Sequence, residues 1–569
     1  MDREALQKVA ALNQDPDAAN NLKICVRSAG ASGHVYASAI DKFVAHARNE
    51  LAALELPGLT FCLVDGEGFA AVGTLGWADK DRQLPVDPGH LFQIGSISKS
   101  FAALCVYRLA DEGEIDLDAP LSSYLPDAPL PAEPICLQQV LSHTSGLPVD
   151  APAAFPRVPG ERLWTGFAPG SRYSYSNTGY ELLGMLVEKV TGKPYPVALR
   201  ELVTRPLGIS AAGLREAIQA SERAHYAIGY SPLDFFLGPA LTRMPVGQVP
   251  WVNWTNPASC IGATADAMAH YVKYLLAVGQ GRGAPLFSDA TARRFATPVV
   301  TDPGSEGFGH ASGLQASDLD GHAVLQHGGS MLGFSSHLMI DPVSGVGCFA
   351  NVNLLATDYD PSGLVRYACK LLRHSREGGA APTSPDAAAS DHVEAAESYA
   401  GTYFGPEGNQ FQLVARTGRL SIVADDREGR LHAARRGGFQ SDHPRYGRHL
   451  FDFERGGGAV TGAWFGPTLY GRGAPVPQPI VPPELLALQG LYVSEDPRVW
   501  AASIVVQKGC LVLERYGFQP GKTSLERNGD YWHSTDAPCE RIRFLGLQDG
   551  VPRCLNISGR PDLWRFDRI

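Results

Sequence analysis

The strongest constraint on the fold is a change of pattern near Ser375. Before this residue, segments of helix and strand length follow one another; after it, short alternating hairpins dominate. The two patterns are separated by SREGGAAPTSPDAAASD, which is small, polar and Pro-containing and therefore typical of a linker. With 569 residues the chain exceeds what one core usually serves, so several domains are expected.

The N-terminal part is predicted to be an α+β domain. An amphipathic helix spans about Val35 to Leu54, and LTFCLVDGEGFAAVGTLGWAD reads as two strands joined by a turn at Asp65. A helical block follows, then the hairpin HLMIDPVSGVGCFANVN and the closing helix PSGLVRYACKLLRH. This order indicates one antiparallel sheet flanked by helices drawn from both chain ends.

The C-terminal part shows two copies of one all-β pattern. The hairpins FQLVARTGRLSIVA and ASIVVQKGCLVLER are preceded by the similar entries YAGTYF and LQGLYV. The offset from Gly401 to Gly490 is 89 residues, and that from Gly418 to Gly509 is 91. The Pro-rich stretch GAPVPQPIVPPE lies between the copies, so we predict a duplicated β unit.

Composition excludes several classes of function. The net charge of −10 argues against nucleic acid as a partner, because that binding depends on Lys and Arg neutralising phosphates. No apolar run is long enough for a membrane span, and no signal peptide is visible, so we expect a cytoplasmic protein. The 10 cysteines are scattered without CxxC pairs, and HExxH is absent, so no metal and no cofactor is predicted.

The segment SISK places Ser96 and Lys99 three residues apart at the start of an apolar helix. Residues at this spacing share a helix face, so the ammonium can reach the hydroxyl. The helix N-terminus adds partial positive charge, which favours an alkoxide. A serine hydroxyl needs such a neighbour to become a nucleophile, so this pair is a candidate catalytic site.

The segment YSN, from Tyr175 to Asn177, lies in a loop before an amphipathic helix. A tyrosine beside Lys99 would have its phenol pKa lowered by the cation and could then act as a general base. Asn177 could donate to the lysine or to a substrate carbonyl. Taken alone, the segment is more typical of a turn tyrosine with a capping asparagine than of a catalytic site.

A third segment, HGGS, begins a strand at His327. Paired glycines in a strand indicate that another backbone or a ligand comes close. Another histidine, His143 in LSHTSGLP, is interpreted as a residue that organises its loop.

Together and in this order, the three segments resemble the serine β-lactamase and penicillin-binding-protein superfamily. The resemblance is closest to its class C β-lactamase, D-aminopeptidase and esterase branch. S-x-x-K corresponds to Ser96–Lys99, Y-x-N to Tyr175–Asn177 and H-x-G to His327–Gly329. The phrases QQVLSHTSGLP, YSNTGYELLG and ASCIGATADAMAHYV also match, and the coverage runs from about Val35 to His374.

The resemblance implies a covalent acyl-enzyme on Ser96, with Lys99 and Tyr175 transferring protons. It also implies an oxyanion hole made by the backbone N–H groups of Ser96 and Ser330, and paired backbone donors do stabilise a tetrahedral oxyanion.

Substrate contacts are expected from Asn177, His327, Gly329 and Ser330. Typical β-lactamases carry lysine where this chain has His327. A neutral imidazole binds a carboxylate less well than an ammonium does, so antibiotic hydrolysis is disfavoured. Histidine at this position is found in D-aminopeptidases, related D-peptidases and many esterases of the branch.

The resemblance further implies a β-lactamase/DD-peptidase-like catalytic domain followed by one or two eight-stranded, lipocalin-like barrels. In such enzymes a barrel loop limits access to the cleft, and 515–532 is a candidate for it, although the segment is more typical of an ordinary hairpin loop. The predicted segments are an N-terminal extension of unassigned role (1–33), the catalytic domain (34–374), a linker (375–394), barrel 1 (395–473), a Pro-rich linker (474–487) and barrel 2 (488–569).

The function expected from the sequence is a serine hydrolase that cleaves amide bonds in short peptides with D- or otherwise unusual residues, including linearised cyclic peptides as in the linear microcystin peptidase. A carboxylesterase and a peptide-cyclising thioesterase of the same superfamily stay open, because water and amines compete for one acyl-enzyme. A non-catalytic binding protein is a remote alternative, since such a site would be expected to lose at least one of the matched residues. The expected partner is a small peptide or ester substrate, and a homo-oligomer is left open.

Overall fold

The computed structural model describes residues 21–28, 35–151, 162–215, 225–232, 246–252, 256–259, 261–301, 309–355, 359–385, 392–434, 437–493, 501–515, 521–535, 537–557 and 565–568. The chain divides into two compact units. The first consists of Met1–Ser231, Gln248–Leu355 and Asp360–Ala387, and the second of Pro232–Gly247, Ala356–Tyr359 and Ala388–Ile569.

The first unit is built on an antiparallel sheet with the order β1-β3-β2-β15-β14-β13-β12-β11-β10, and β4 pairs with β3. Its strands and those of two smaller sheets are β1 Lys23–Arg27, β2 Gly58–Asp65, β3 Ala70–Asp79, β4 Leu84–Pro85, β5 Phe92–Gln93, β6 Leu214–Arg215, β7 Gly229–Pro232, β8 Val246–Val249, β9 Gly262–Ala263, β10 Val300–Thr301, β11 Gly309–His310, β12 Gln315–Leu319, β13 His322–Met331, β14 Phe334–Asp341 and β15 Val346–Val352. The α+β prediction is confirmed, including the β2–β3 and β14–β15 hairpins.

Helices cover both faces of this sheet, which explains why β2, β14 and β15 are buried along their whole length. The two terminal helices, Ala37–Ala53 and Ser362–Glu377, pack together on one face, where the rings of Phe43 and Phe61 meet at 4.8 Å. The helix Ala265–Gly279 packs against the sheet. It belongs to one large hydrophobic core, which contains side chains from the sheet and from the helical block.

The helical block carries the first two of the segments singled out above, SISK and YSN, whereas HGGS lies on β13. Its helices are Ser98–Asp111, Leu137–Leu141, Asn177–Thr191, Tyr195–Leu199, Ala265–Gly279 and Asp289–Ala296. Side-chain oxygens cap three of them: Ser176 accepts from the backbone N–H of Gly179, Thr264 from that of Ala267 and Ser288 from that of Thr291. Such caps fix where a helix begins, and the first of them places Asn177 as the first residue of its helix.

Part of the predicted N-terminal extension belongs to the sheet. Residues Lys23–Arg27 form β1, which pairs antiparallel with β3 at the edge of the sheet, from Lys23 opposite Thr74 to Arg27 opposite Ala70. The predicted domain boundaries themselves stay predictions.

The second unit contains two closed eight-stranded antiparallel barrels, so the lipocalin-like architecture is confirmed with two barrels. Barrel 1 consists of β16 Gly401–Phe404, β17 Gln410–Arg416, β18 Arg419–Ala424, β19 Arg427–Ala433, β20 Phe439–Ser441, β21 Phe451–Gly456, β22 Ala459–Phe465 and β23 Thr468–Arg472. Barrel 2 consists of β24 Gly490–Val493, β25 Ala501–Gln507, β26 Cys510–Arg515, β27 Gly521–Asn528, β28 Tyr531–Ser534, β29 Ile542–Leu545, β30 Cys554–Ile557 and β31 Arg565–Arg568.

The two barrels close in the same way. Tyr403 lies opposite Arg472 where β16 meets β23, and Tyr492 lies opposite Arg568 where β24 meets β31. Each tyrosine hydroxyl donates to the backbone carbonyl four residues before it, at 2.7 Å in barrel 1 and 2.8 Å in barrel 2. Tyr403 and Tyr492 are separated by 89 residues, the same offset that relates Gly401 to Gly490.

The segment 515–532 was expected to be a loop, and that is wrong for most of it. Residues Gly521–Asn528 and Tyr531–Ser534 are strands β27 and β28 of barrel 2, paired with each other. Residues 516–520 lie outside the described residues. The idea that this region limits access to a cleft stays a prediction. Among the helices that the structure describes, none is long and apolar enough to cross a membrane.

Candidate active site

Ser96 lies in the short turn Gly95–Ile97, which leads directly into the helix Ser98–Asp111. Gly95 has a φ of +54°. A β-carbon at this position would lie 2.4 Å from the backbone nitrogen of Ser330. Only glycine combines this backbone conformation with so close an approach, so the segment before Ser96 can lie directly against the strand that carries Ser330.

Two buried polar side chains of the central sheet hold the segment before Ser96. Ser336 on β14 donates from Oγ to the carbonyl of Ile94 at 2.9 Å, and Asn351 on β15 donates from Nδ2 to the carbonyl of Gln93 at 3.0 Å. Sequence analysis missed both residues. The signal for Asn351 was a polar side chain inside an otherwise apolar buried strand, where it needs a hydrogen-bond partner, whereas Ser336 is one of several polar residues on β14.

Lys99 is completely buried, and its ammonium is directed at Ser96. Nζ donates to Oγ of Ser96 at 3.1 Å and to the backbone carbonyl of Ala258 at 2.7 Å. Nζ also lies 4.8 Å from the ring centroid of Tyr175 and 5.8 Å from that of Tyr180. A buried ammonium is costly without such partners, so this arrangement is a built site and not a surface lysine.

Tyr175 donates from its hydroxyl to Oγ of Ser96 at 2.8 Å. The expectation that its phenol pKa is lowered is wrong: burial raises the pKa of Tyr175 above its usual range, and the hydrogen bond to Ser96 offsets this only in part. The physical reason is desolvation of the phenolate form, which burial disfavours. Tyr175 is therefore a protonated phenol that donates to the serine.

Asn177 donates from Nδ2 to Oδ1 of Asp150 at 3.3 Å. The backbone N–H groups of Asn177 and Thr178 both donate to the carbonyl of Val149, at 2.8 and 3.2 Å. These bonds join the start of the helix to the loop that follows LSHTSGLP. The predicted bond from Asn177 to a substrate carbonyl stays a prediction.

His327, Gly329 and Ser330 lie on β13, beside the Ser96 segment. Nδ1 of His327 lies 2.6 Å from the carbonyl of Gly328, so Nδ1 carries the proton and Nε2 is an acceptor. Burial and, after it, the charge of Lys99 lower the pKa of His327 to about 3. The imidazole is therefore neutral, as expected from the sequence.

Two more histidines, His143 and His310, lie beside the site. The rings of His143 and His310 are 5.0 Å apart, and that of His310 lies 6.4 Å from His327. Burial lowers the pKa of His310 to about 4 and that of His143 well below its usual value, and Lys99 adds to both effects. His310, in FGHASGL, was missed because no motif marks it; its position depends on folding alone.

The structure brings Ser96, Lys99 and Tyr175 together around one oxygen atom, with His327 packed near Tyr175 at a ring distance of 6.5 Å. A hydroxyl contacted by an amine and a phenol has a nearby proton acceptor and a nearby proton donor, as a nucleophilic serine requires. Within the described part of the chain, no group of three or more His, Cys, Asp or Glu side chains could hold a metal ion.

Comparison with known proteins agrees with this geometry. The family model described as Beta-lactamase matches residues 40–368. The protein flp of Staphylococcus aureus (strain N315) is 24% identical over 356 residues, which are 59% of this chain and 67% of that protein. A D-aminopeptidase of Gluconobacter oxydans (strain 621H) is 28% identical over 318 residues, 51% of this chain and 56% of that enzyme.

A solved structure shows the same fold. The octameric penicillin-binding protein homologue from Pyrococcus abyssi aligns with a TM-score of 0.53 at 20% identity, covering 76% of this chain and 99% of its own.

Proposed function

The chain belongs to the β-lactamase family, and on that premise we propose that it is a serine hydrolase that forms an acyl-enzyme on Ser96. The observation that carries the proposal is the pair of contacts at Oγ of Ser96, from Lys99 Nζ at 3.1 Å and from the Tyr175 hydroxyl at 2.8 Å. Ser96 and Tyr175 are partly exposed, whereas Lys99 is buried, so a substrate can reach the serine hydroxyl without meeting the ammonium first.

The proton transfers follow from the protonation state of Tyr175. Because the raised phenol pKa keeps Tyr175 protonated, Lys99 is the first acceptor of the serine proton, and its ammonium must first lose a proton to solvent before the amine can accept that of Ser96. Oγ attacks the carbonyl carbon, and the backbone N–H groups of Ser96 and Ser330 stabilise the oxyanion. When the C–N bond breaks, Tyr175 gives its proton to the amine and Lys99 restores that proton. Water then attacks the acyl-enzyme, and its proton returns to Oγ.

For the substrate, we propose short peptides or amides with D- or otherwise unusual residues. The similarity to a D-aminopeptidase supports this class. His327 also supports it, because a neutral imidazole with Nε2 as an acceptor offers no charge to a substrate carboxylate. Asn177 and Gly329 complete the proposed substrate contacts.

The proposal is tested by intact-protein mass spectrometry after incubation with a fluorophosphonate. We expect one adduct on the native chain, none on Ser96→Ala, and an adduct on the matched control Ser98→Ala, which removes a hydroxyl two residues away. No adduct on the folded native protein would favour a non-catalytic binding protein instead.

The substrate class is tested by comparing D- and L-amino-acid amides with esters of the same acyl group. Faster turnover of D-amides supports the proposal, and turnover confined to esters would make the protein a carboxylesterase. Product that appears only when an amine is added would indicate acyl transfer, as in a peptide-cyclising thioesterase. Cytoplasmic location stays a prediction, and light scattering measures the oligomeric state, which the sequence leaves open.

A further inference from the structure

His143 has an unusual backbone for a buried side chain. Its φ is +59°, a region that residues other than glycine seldom adopt, and its side chain is completely buried. A conformation of this kind persists only where the surroundings hold it, and such residues concentrate at functional sites. The position follows the short helix Leu137–Leu141, so the strained residue ends a helical turn.

Two hydrogen bonds connect His143 to both neighbours of Tyr175. The backbone N–H of Ser174 donates to the carbonyl of His143 at 2.8 Å. The backbone N–H of Ser176 donates to Nδ1 of the imidazole at 3.0 Å. The peptide segment that carries Tyr175 is therefore fixed on each side of this residue by His143.

The imidazole also contacts the phenol ring itself. The ring centroids of His143 and Tyr175 are 4.5 Å apart with an angle of 32° between the planes, so the rings pack largely face to face. Since Nδ1 accepts a hydrogen bond, the proton of the neutral imidazole is on Nε2. Burial, with the neighbouring His310 and Lys99, lowers the pKa of His143 and keeps this form at ordinary pH.

We propose that His143 is a positioning residue that holds the Tyr175 phenol on Oγ of Ser96 for proton delivery to the leaving group. The inference rests on the proposed acyl-enzyme function and deepens it. It has a consequence that a purely structural role lacks. A leaving amine must receive a proton as the C–N bond breaks, whereas an aryl oxide departs without one. Loss of the correct phenol position therefore slows amide cleavage more than aryl ester cleavage.

The test compares two variants on an amide and a p-nitrophenyl ester with the same acyl group. His143→Phe keeps a ring but removes the acceptor for the Ser176 N–H. His143→Asn keeps an acceptor in the place of Nδ1 and tolerates the left-handed backbone. For His143→Phe we expect kcat on the amide to fall at least about tenfold more than kcat on the ester, with little change in KM. For His143→Asn we expect a smaller difference.

His90 provides a matched control. Its Nδ1 also accepts a backbone N–H, that of Asp87 at 2.7 Å, within a turn of its own. We expect His90→Phe to leave the ratio of amide to ester turnover at the native value. A second control is the double variant that combines His143→Phe with Tyr175→Phe. Once the phenol hydroxyl is gone, replacing His143 should change the amide-to-ester ratio no further, which is the coupling expected of two residues acting through one group.

The outcomes separate the two levels of the proposal. If His143→Phe lowered kcat equally on the amide and the ester, the proposed role of His143 would be overturned while the hydrolase proposal stayed intact. The same would follow if His143→Phe lowered the amide-to-ester ratio as much in the Tyr175→Phe background as in the native protein. A native protein that turns over neither substrate and takes no fluorophosphonate on Ser96 would overturn the proposed function, and this inference with it.

Discussion

Gly329 lies so close to Ile94 that a β-carbon on Gly329 would be 1.9 Å from the carbonyl oxygen of Ile94. Strand β13 and the segment before Ser96 are thus in direct backbone contact at this point. The contact sets the distance between Ser96 and Ser330, whose N–H groups are the proposed oxyanion donors. It also gives the physical reason for the second glycine of the third segment, since a side chain on Gly329 would keep the two backbones apart.

Gly329→Ala is expected to separate these two segments and to lower kcat on an ester by about 100-fold or more, the usual effect of losing an oxyanion donor. The adjacent Gly328→Ala is the control, because a β-carbon there meets its nearest atom, Nδ1 of His337, at an ordinary 3.5 Å. Steady-state kinetics with thermal unfolding of both variants measures the effect. Similar kcat values for the two variants would contradict it.

Lys99→Arg is expected to be nearly as inactive as Lys99→Met. A guanidinium keeps the positive charge but does not give up its proton, so it cannot accept one from Ser96. We expect both variants to slow fluorophosphonate labelling by about 100-fold or more. Lys273→Arg, at a partly buried lysine on the helix Ala265–Gly279, is the control and should label normally. Labelling of Lys99→Arg at the native rate would contradict this prediction, because it would mean that a positive charge beside Ser96 activates the hydroxyl without accepting its proton.

The free energy of unfolding is expected to fall as the pH falls from about 6.5 to about 4. Burial lowers the pKa of His327 to about 3 and those of His310 and His337 to about 4. In the unfolded chain these imidazoles bind protons below about pH 6.5, whereas the folded protein keeps them neutral, so acid favours unfolding.

Urea unfolding at several pH values measures this dependence. His337→Gln removes one of the three groups and should reduce the slope by up to about 1.4 kcal/mol per pH unit. Since His337 donates from Nε2 to Gln326 at 3.0 Å, an amide can replace the donor without adding a titrating group. A free energy that is independent of pH across this range would contradict the prediction.

Arg472→Lys and Arg568→Lys are each expected to destabilise their barrel by about 1–3 kcal/mol. Nη1 of Arg472 donates to the carbonyl of Ser398 at 3.1 Å, and Nη1 of Arg568 donates to that of Ala487 at 3.1 Å, while Nη2 of each donates to a second carbonyl. One ammonium cannot reach both acceptors in this geometry.

Differential scanning calorimetry measures this loss. The control is Arg416→Lys, since the exposed Arg416 pairs with Glu428 at 3.3 Å and should change stability by less than about 0.5 kcal/mol. Equal transition temperatures for Arg472→Lys and Arg416→Lys would show that the closing bonds contribute little.

Much of the architecture could be predicted because it depends on residues near each other in sequence. The turn at Thr417 and Gly418, both with positive φ, and the alternation on either side determine a hairpin without help from elsewhere. The repeat of that pattern predicted two barrels, and both are closed. Ser96 and Lys99 are three residues apart on one helical turn, so their contact is also local.

The properties of the site depend on residues far apart in sequence. The raised pKa of Tyr175 comes from burial that only the folded chain creates, so the sequence-based expectation had the wrong sign. The anchors of the nucleophile segment, Ser336 and Asn351, are 242 and 258 residues away from the carbonyls they bind. Local patterns carry no information on such partners.

The sequence by itself determined which residues are chemically able to react, their order and the hairpins and helices that present them, since side-chain identity and short-range periodicity suffice for these. Tertiary structure alone decided their protonation states, the alignment of the Tyr175 phenol on Ser96 and the position of His143 beside it. These follow from desolvation and from contacts between segments that meet only when the core forms.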